Sequence, residues 1–276
     1  MTRRAILGLV GARLWGEKLR GGFVFTEGPA IDRRGDLYFC DVGEERIYCL
    51  SKGSLRVVRN SSNVATGLAF DQRGRMVVCE RGRVTRTEAD GRLTILAESF
   101  EGKGLHSPND VAVKGDGSIY FTDLKQKNEW ANPAKTGRSA VYRWSEGDGV
   151  TLFADDCQAP NGIALSPREE LVYVTDTAER VVRVYEAGSK GVRKGRVLAT
   201  TSAAGGPDGV KTDRAGNVWV CEDEGLVEFS AAGARLRTVA IPEGPSNCVF
   251  SRDGTRLFVT AKTAVYKIEL GLNYTI

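Results

Sequence analysis

The chain has 276 residues, 41% hydrophobic and 27% charged, an ordinary balance for a soluble globular protein. Its 39 basic and 35 acidic residues leave a formal net charge of only +4, spread too evenly to favour nucleic acid or an anionic membrane as a partner. No stretch approaches the roughly 18 apolar residues of a spanning helix, and 33 glycines against 8 prolines point to many tight turns between short strands.

The N-terminal run from Thr2 to Ala12 has a basic start, a short apolar stretch and a small residue at its end. That is faintly signal-like. Charge resumes at once with Arg13 and Glu17, so an N-terminal strand and a cytoplasmic protein are expected, with export left open by the signal-like start. From Glu27 onward a template recurs: an oxygen-bearing residue, a short apolar run, a polar turn with Gly, a second apolar run. Five of the six copies then end in an acid. The copies run from Glu27 to Asp41, Thr66 to Glu80, Asn109 to Asp123, Asn161 to Asp176, Asp208 to Glu222 and Ser246 to Ala261. Counting along the sixth copy makes Ser246 the equivalent residue, with Asn247 one step further.

Each copy continues into a third period-two run, such as Arg46–Leu50, Ala140–Trp144 or Val181–Tyr185, and most have a fourth, such as Leu55–Val58 or Leu93–Leu96. These runs are rich in β-branched and aromatic residues and are divided by Gly and Asp turns. Repeats of four strands at about 40–50 residues read as propeller blades. The expectation is an all-β, six-bladed β-propeller with four-stranded antiparallel blades, forming a single domain over residues 1–276. The last copy ends soon after its third strand, so the segment around Leu14 to Leu19 is expected to supply the outer strand that closes the ring. Cys40, Cys79 and Cys221 recur at one repeat position and are read as small buried hydrophobes rather than a disulfide framework.

In a propeller the first strand of every blade lines the central channel. Glu27, Thr66, Asn109, Asn161, Asp208 and Ser246 would then meet in a polar cup at one mouth. Two acids brought together need a proton or a cation. An all-oxygen set suits a hard divalent cation, so one ion is expected, Ca²⁺ first, then Mg²⁺ or Mn²⁺, with Zn²⁺ last. At any single position the plainer alternative, an oxygen that satisfies turn amides, stays open. The second recurring acid (Asp41, Glu80, Asp123, Asp176, Glu222) is expected to bond turn amides within each blade. The lone His106 lies near Asn109 and is a candidate to line the cup. A long link from Leu124 to Arg138 overhangs the same mouth, with Lys125, Trp130 and Arg138 as candidate substrate contacts.

The motifs Thr26-Glu-Gly-Pro29, Ser107-Pro-Asn-Asp110, Ala159-Pro-Asn-Gly-Ile-Ala164, Gly206-Pro-Asp-Gly209 and the strand end Tyr173-Val-Thr-Asp176 together resemble the senescence-marker-protein/gluconolactonase family, over about Gly22 to Leu270. The resemblance implies a divalent metal on the axis and hydrolysis of lactones. It implies Glu27, Asn161 and Asp208 as metal ligands, Asn109 as a further ligand or substrate contact, and Asp208 as general base. Thr66 and His106 join the candidate substrate contacts. Ser107 stands where the animal sugar-lactonases carry a substrate-binding arginine, which turns the resemblance towards the bacterial branch. The implied partner is a small-molecule lactone, with no nucleic acid or membrane, and a monomer or small homo-oligomer is expected. Two alternatives stand beside it: a phosphotriesterase resembling diisopropyl fluorophosphatase, and a non-enzymatic propeller that binds partners. A Ser-His-Asp triad would have to use His106, beside which nothing marks a partnered nucleophile, and the absence of a second His argues against a His dyad.

Overall fold

A computed structural model of the chain describes residues 15–125, 136–188, 191–201 and 205–270. Trp130 and Leu14 therefore lie outside the described residues. Six four-stranded antiparallel sheets follow one another along the chain, each with its strands in sequence order except the last. No helix occurs among the described residues, and so none there is long and apolar enough to cross a membrane. The sheets form the six blades of a β-propeller.

The inner strands of successive blades are Thr26–Ile31, Leu68–Phe70, Pro108–Val113, Pro160–Leu165, Val210–Thr212 and Pro245–Phe250. Each second strand is almost wholly buried because both faces pack against neighbouring blades. Met76–Glu80, Ile119–Asp123 and Val218–Glu222 are buried at every position. This explains their unbroken apolar runs, since a strand covered on both faces loses polar alternation. The core is accordingly distributed between blades. Trp219 and Leu226 of blade five pack with Leu257, Val259 and Tyr266 of blade six, and Phe39 of blade one meets Val265 of blade six.

Ring closure is supplied from the N-terminus. Glu17–Gly21 pairs antiparallel with Ala264–Glu269 as the outermost strand of blade six, whose inner strands come from the C-terminal end. The strand lies slightly later than Leu14 to Leu19 but in the expected role. A small hairpin, Ser99–Phe100 with Lys103–Gly104, also follows blade two. All six cysteines are buried and free.

Candidate metal and substrate cup

The oxygen-bearing positions sit where the inner strands begin, and irregular pairing aims them. In blades one, three, four and six the register of the inner strand shifts across this position, between Glu27 and Ala30, Pro108 and Val111, Pro160 and Ile163, and Pro245 and Asn247. Such bulges re-aim side chains. In blades two and five, Thr66 and Asp208 lie just before strands that start at Leu68 and Val210.

Glu27 and Asp208 lie 181 positions apart in the chain, yet the charge of Glu27 acts on Asp208 and that of Asp110 acts on both. Burial pushes the Glu27 carboxyl up to about 7, with the nearby charge of Asp110 adding to it. The Gly28 amide, Asn247 and Lys211 work the other way. Burial likewise drives Asp208 well above the usual carboxylate range, reinforced by Glu27 and Asp110 and opposed by a hydrogen bond from Asn161. Glu27 Oε2 accepts from the Gly28 N–H at 2.7 Å and from Asn247 Nδ2 at 3.5 Å. Asn161 Nδ2 donates to Thr177 Oγ1 at 3.2 Å. The side chain of Asn109 makes no hydrogen bond among the described residues and is partly exposed.

Among the described residues no three His, Cys, Asp or Glu side chains group as a metal site. The ring itself is instead two acids and amides, with the buried Asp110 one residue past it. It fits a hard cation. Two buried carboxylates that resist ionisation beside each other are stabilised as anions by a divalent charge, and the set includes neither sulfur nor ring nitrogen.

Other predicted positions have different work. Ser246 Oγ donates to the carbonyls of Thr26 (2.7 Å) and Thr260 (3.0 Å), tying blade six to blade one; Asn247 takes the inward place. Thr66 Oγ1 donates to the Asn109 carbonyl at 2.7 Å. Two hydroxyls that sequence reasoning passed over do the same for the next blades: Thr122 Oγ1 reaches the Asn161 carbonyl at 2.6 Å and Thr175 Oγ1 the Asp208 carbonyl at 2.5 Å. These threonines precede the recurring acid in the motif Thr-Asp, and that recurrence was the available signal. The acids themselves divide. Asp41 accepts from the Val24 and Phe25 amides, Asp123 from His106 and Ser107, and Asp176 from Gln158 and Ala159. They clamp the turn ahead of the inner strand. Glu80 instead binds the guanidinium groups of Arg59 and Arg83 at 2.5 and 2.8 Å.

His106 is buried, and its Nε2 accepts from the Gly137 N–H at 3.0 Å. Lys125 Nζ donates to the Gly137 carbonyl at 3.0 Å. Both therefore hold the base of the long link, where Arg138 is exposed.

A six-bladed propeller with an acid–amide cup at the start of its inner strands defines the class. The chain belongs to the SMP-30/Gluconolactonase/LRE-like family, whose pattern matches residues 25–263. It is 28% identical over 224 residues to a gluconolactonase from Zymomonas mobilis, covering 74% of this chain and 63% of that protein. It is 27% identical over 188 residues to pentonolactonase XacC of Haloferax volcanii, covering 66% of this chain and 60% of that one. These matches thus span less than two thirds of the relatives' own lengths. A gluconolactonase of known structure from Xanthomonas campestris superposes with a TM-score of 0.86 at 29% identity, covering 93% of this chain and 89% of the other.

Proposed function

We propose that the protein is a metal-dependent lactonase that opens the ester ring of a sugar lactone resembling gluconolactone. The observation that carries this reading is the buried pair Glu27 and Asp208, the latter hydrogen-bonded by Asn161, where the inner strands begin. The lactonase relatives support the choice of substrate class. Glu27, Asn161 and Asp208 would hold the cation, with Asn109 as a fourth oxygen donor or a contact to substrate. Ca²⁺ is the first choice for such a set, followed by Mg²⁺, Mn²⁺ and Zn²⁺. A bound divalent ion supplies Lewis-acid polarisation of the lactone carbonyl.

The chain's own residues do the rest. Thr175 fixes the Asp208 backbone, so the carboxylate stands still at the mouth. Asp208 takes the proton from the water that attacks the carbonyl carbon. The acyl C–O bond then breaks, and that proton passes to the departing ring oxygen to give the hydroxy acid. Thr66, His106 and Arg138 are placed by this reading around the substrate, His106 acting through the base of the link that it holds.

Acid release from a panel of sugar and aliphatic lactones in a pH-stat tests the proposal. Turnover is expected to fall by on the order of 10²-fold or more after chelation, to return with Ca²⁺, and to be absent in Asp208→Ala. No turnover of any lactone, with phosphotriesters hydrolysed instead, would shift the reading to a phosphotriesterase. No turnover of either, and no bound ion, would leave a binding propeller.

A further inference from the structure

One residue past the oxygen ring, four blades carry glycine: Gly28, Gly67, Gly162 and Gly209. The other two carry Asp110 and Asn247. The glycines are required here. A Cβ on Gly209 would lie 2.4 Å from Asn247 Cγ, and one on Gly67 would lie 2.6 Å from Asp110 Cα. Two residues deeper, five blades carry Ala30, Ala69, Ala112, Ala164 and Val249, whereas the fifth blade carries Lys211. A single ammonium therefore enters an otherwise apolar tier. Beyond it, towards the opposite mouth, lies a 400 Å³ cavity walled by Phe70, Val113, Leu165 and Phe250, with Lys211 in its lining.

The ammonium turns back towards the cup. Lys211 Nζ donates to Asp110 Oδ2 at 3.2 Å, Asn247 Oδ1 at 3.3 Å and the Val210 carbonyl at 3.0 Å. Asp110 Oδ2 also accepts from Asn247 Nδ2 at 3.2 Å and the Ile163 N–H at 3.2 Å. The Asn247 amide is held the right way round by the Cys248 N–H, which donates to its Oδ1 at 2.8 Å. Its Nδ2 is thereby left facing Asp110 and, at 3.5 Å, Glu27. Asp110 is 2% exposed, so without the lysine three carboxylates would share one buried axis. Burial works against the charged lysine, yet Asp110 keeps its proton bound above the ordinary lysine range.

We infer that Lys211 is a positioning residue and internal counter-charge for the cup: it neutralises Asp110 beneath the ring, so that Glu27 and Asp208 alone present their two negative charges to one divalent cation. The inference rests on reading the cup as a cation site. Opposite-sign effects follow from it. Asp110→Asn leaves the ammonium uncompensated below the cation, and Lys211→Met leaves an additional carboxylate there.

Ca²⁺ affinity of the full chain, measured by calorimetry for wild type, the two single variants and the double variant, tests it. Asp110→Asn is expected to weaken binding at least tenfold. Lys211→Met should leave it unchanged or tighten it, and the double variant should return to within about threefold of wild type. A merely structural role would weaken both single variants alike. Parallel weakening, or no change in Asp110→Asn, overturns the inference. Thermal unfolding in chelator supplies a second readout. The double variant buries no unpaired charge, so it should recover most of the midpoint lost by either single change. A double variant no more stable than the worse single one also overturns the inference. Wild-type protein that binds no Ca²⁺ sinks the cation reading itself and the inference with it, and is told apart from a wild type that binds while the variants fail to diverge.

Discussion

Glu27 and Asp208 hold protons that ordinary carboxyls release, and this has a consequence for stability. In the unfolded chain Glu27 ionises near its ordinary value of 4.5, whereas in the fold burial, then the charge of Asp110, moves it to about 7. Between these values the folded protein binds more protons than the unfolded chain, so stability falls as pH rises through that window. The expected result is a metal-free protein less stable at pH 7.5 than at pH 5, by on the order of 1–3 kcal/mol from this group. Glu27→Gln should flatten the dependence. Thermal unfolding in chelator at the two pH values checks it, and a midpoint equally pH-dependent in Glu27→Gln counts against it. Ca²⁺ should reverse the trend by favouring the ionised pair.

At the scale of the strand, the cup is built from backbone as much as from side chains. Threonine hydroxyls from one blade hold the carbonyls of Asn109, Asn161 and Asp208 in the next. The bulge after Glu27 depends on a glycine. Gly28 has φ +52, and a Cβ there would stand 1.9 Å from the Thr66 carbonyl oxygen. Gly53 also has positive φ, +82, but open space around it. Gly28→Ala is therefore expected to cost well above the ~1 kcal/mol of a purely conformational change, about 3 kcal/mol or more, whereas Gly53→Ala should cost about 1. Urea unfolding of the two variants gives the comparison. Equal losses would show that the close approach between blades one and two relaxes freely.

For the whole molecule, closure of the ring is the decisive event. Glu17–Gly21 covers the outer edge of blade six, Lys267 Nζ meets Glu17 at 3.1 Å, and Lys18 Nζ meets Glu243 at 3.2 Å. Each pair has one partner more than half exposed, so both add little. The strand's contribution is its ladder and the covering of an edge that would otherwise pair with other chains. A chain begun at Gly22 is expected to melt at least about 5 °C lower and to associate on heating. Calorimetry and light scattering read both, and an unchanged midpoint would show that blade six stands without its fourth strand. We further propose that the six blades form one domain, which predicts that this loss appears in a single unfolding transition.

The repeat was legible from sequence because each blade solves the same problem locally. A strand buried on both faces must read as an apolar run, and a tight turn must carry Gly or Asp. Glu27 and Asp208 could be set in one ring by equal counts, and Asn161 with them once the longer turn of its copy, from Ser166 to Leu171, is allowed for. In the sixth blade Ser246 turns between blades and Asn247 meets Asp110 and Glu27; the register shifts there as it does in blades one, three and four, and no spacing says which side chain a bulge sends inward. The contact of Asp110, Lys211 and Asn247 was closed to sequence for a different reason. Their side chains meet across residues separated by up to 137 positions, and only radial closure brings three different blades to one axis. The chain alone thus determined the blades and the height of the oxygen ring. Tertiary structure decided which side chains face inward and where the charges beneath the ring are neutralised, because both depend on distances between blades that no local pattern encodes.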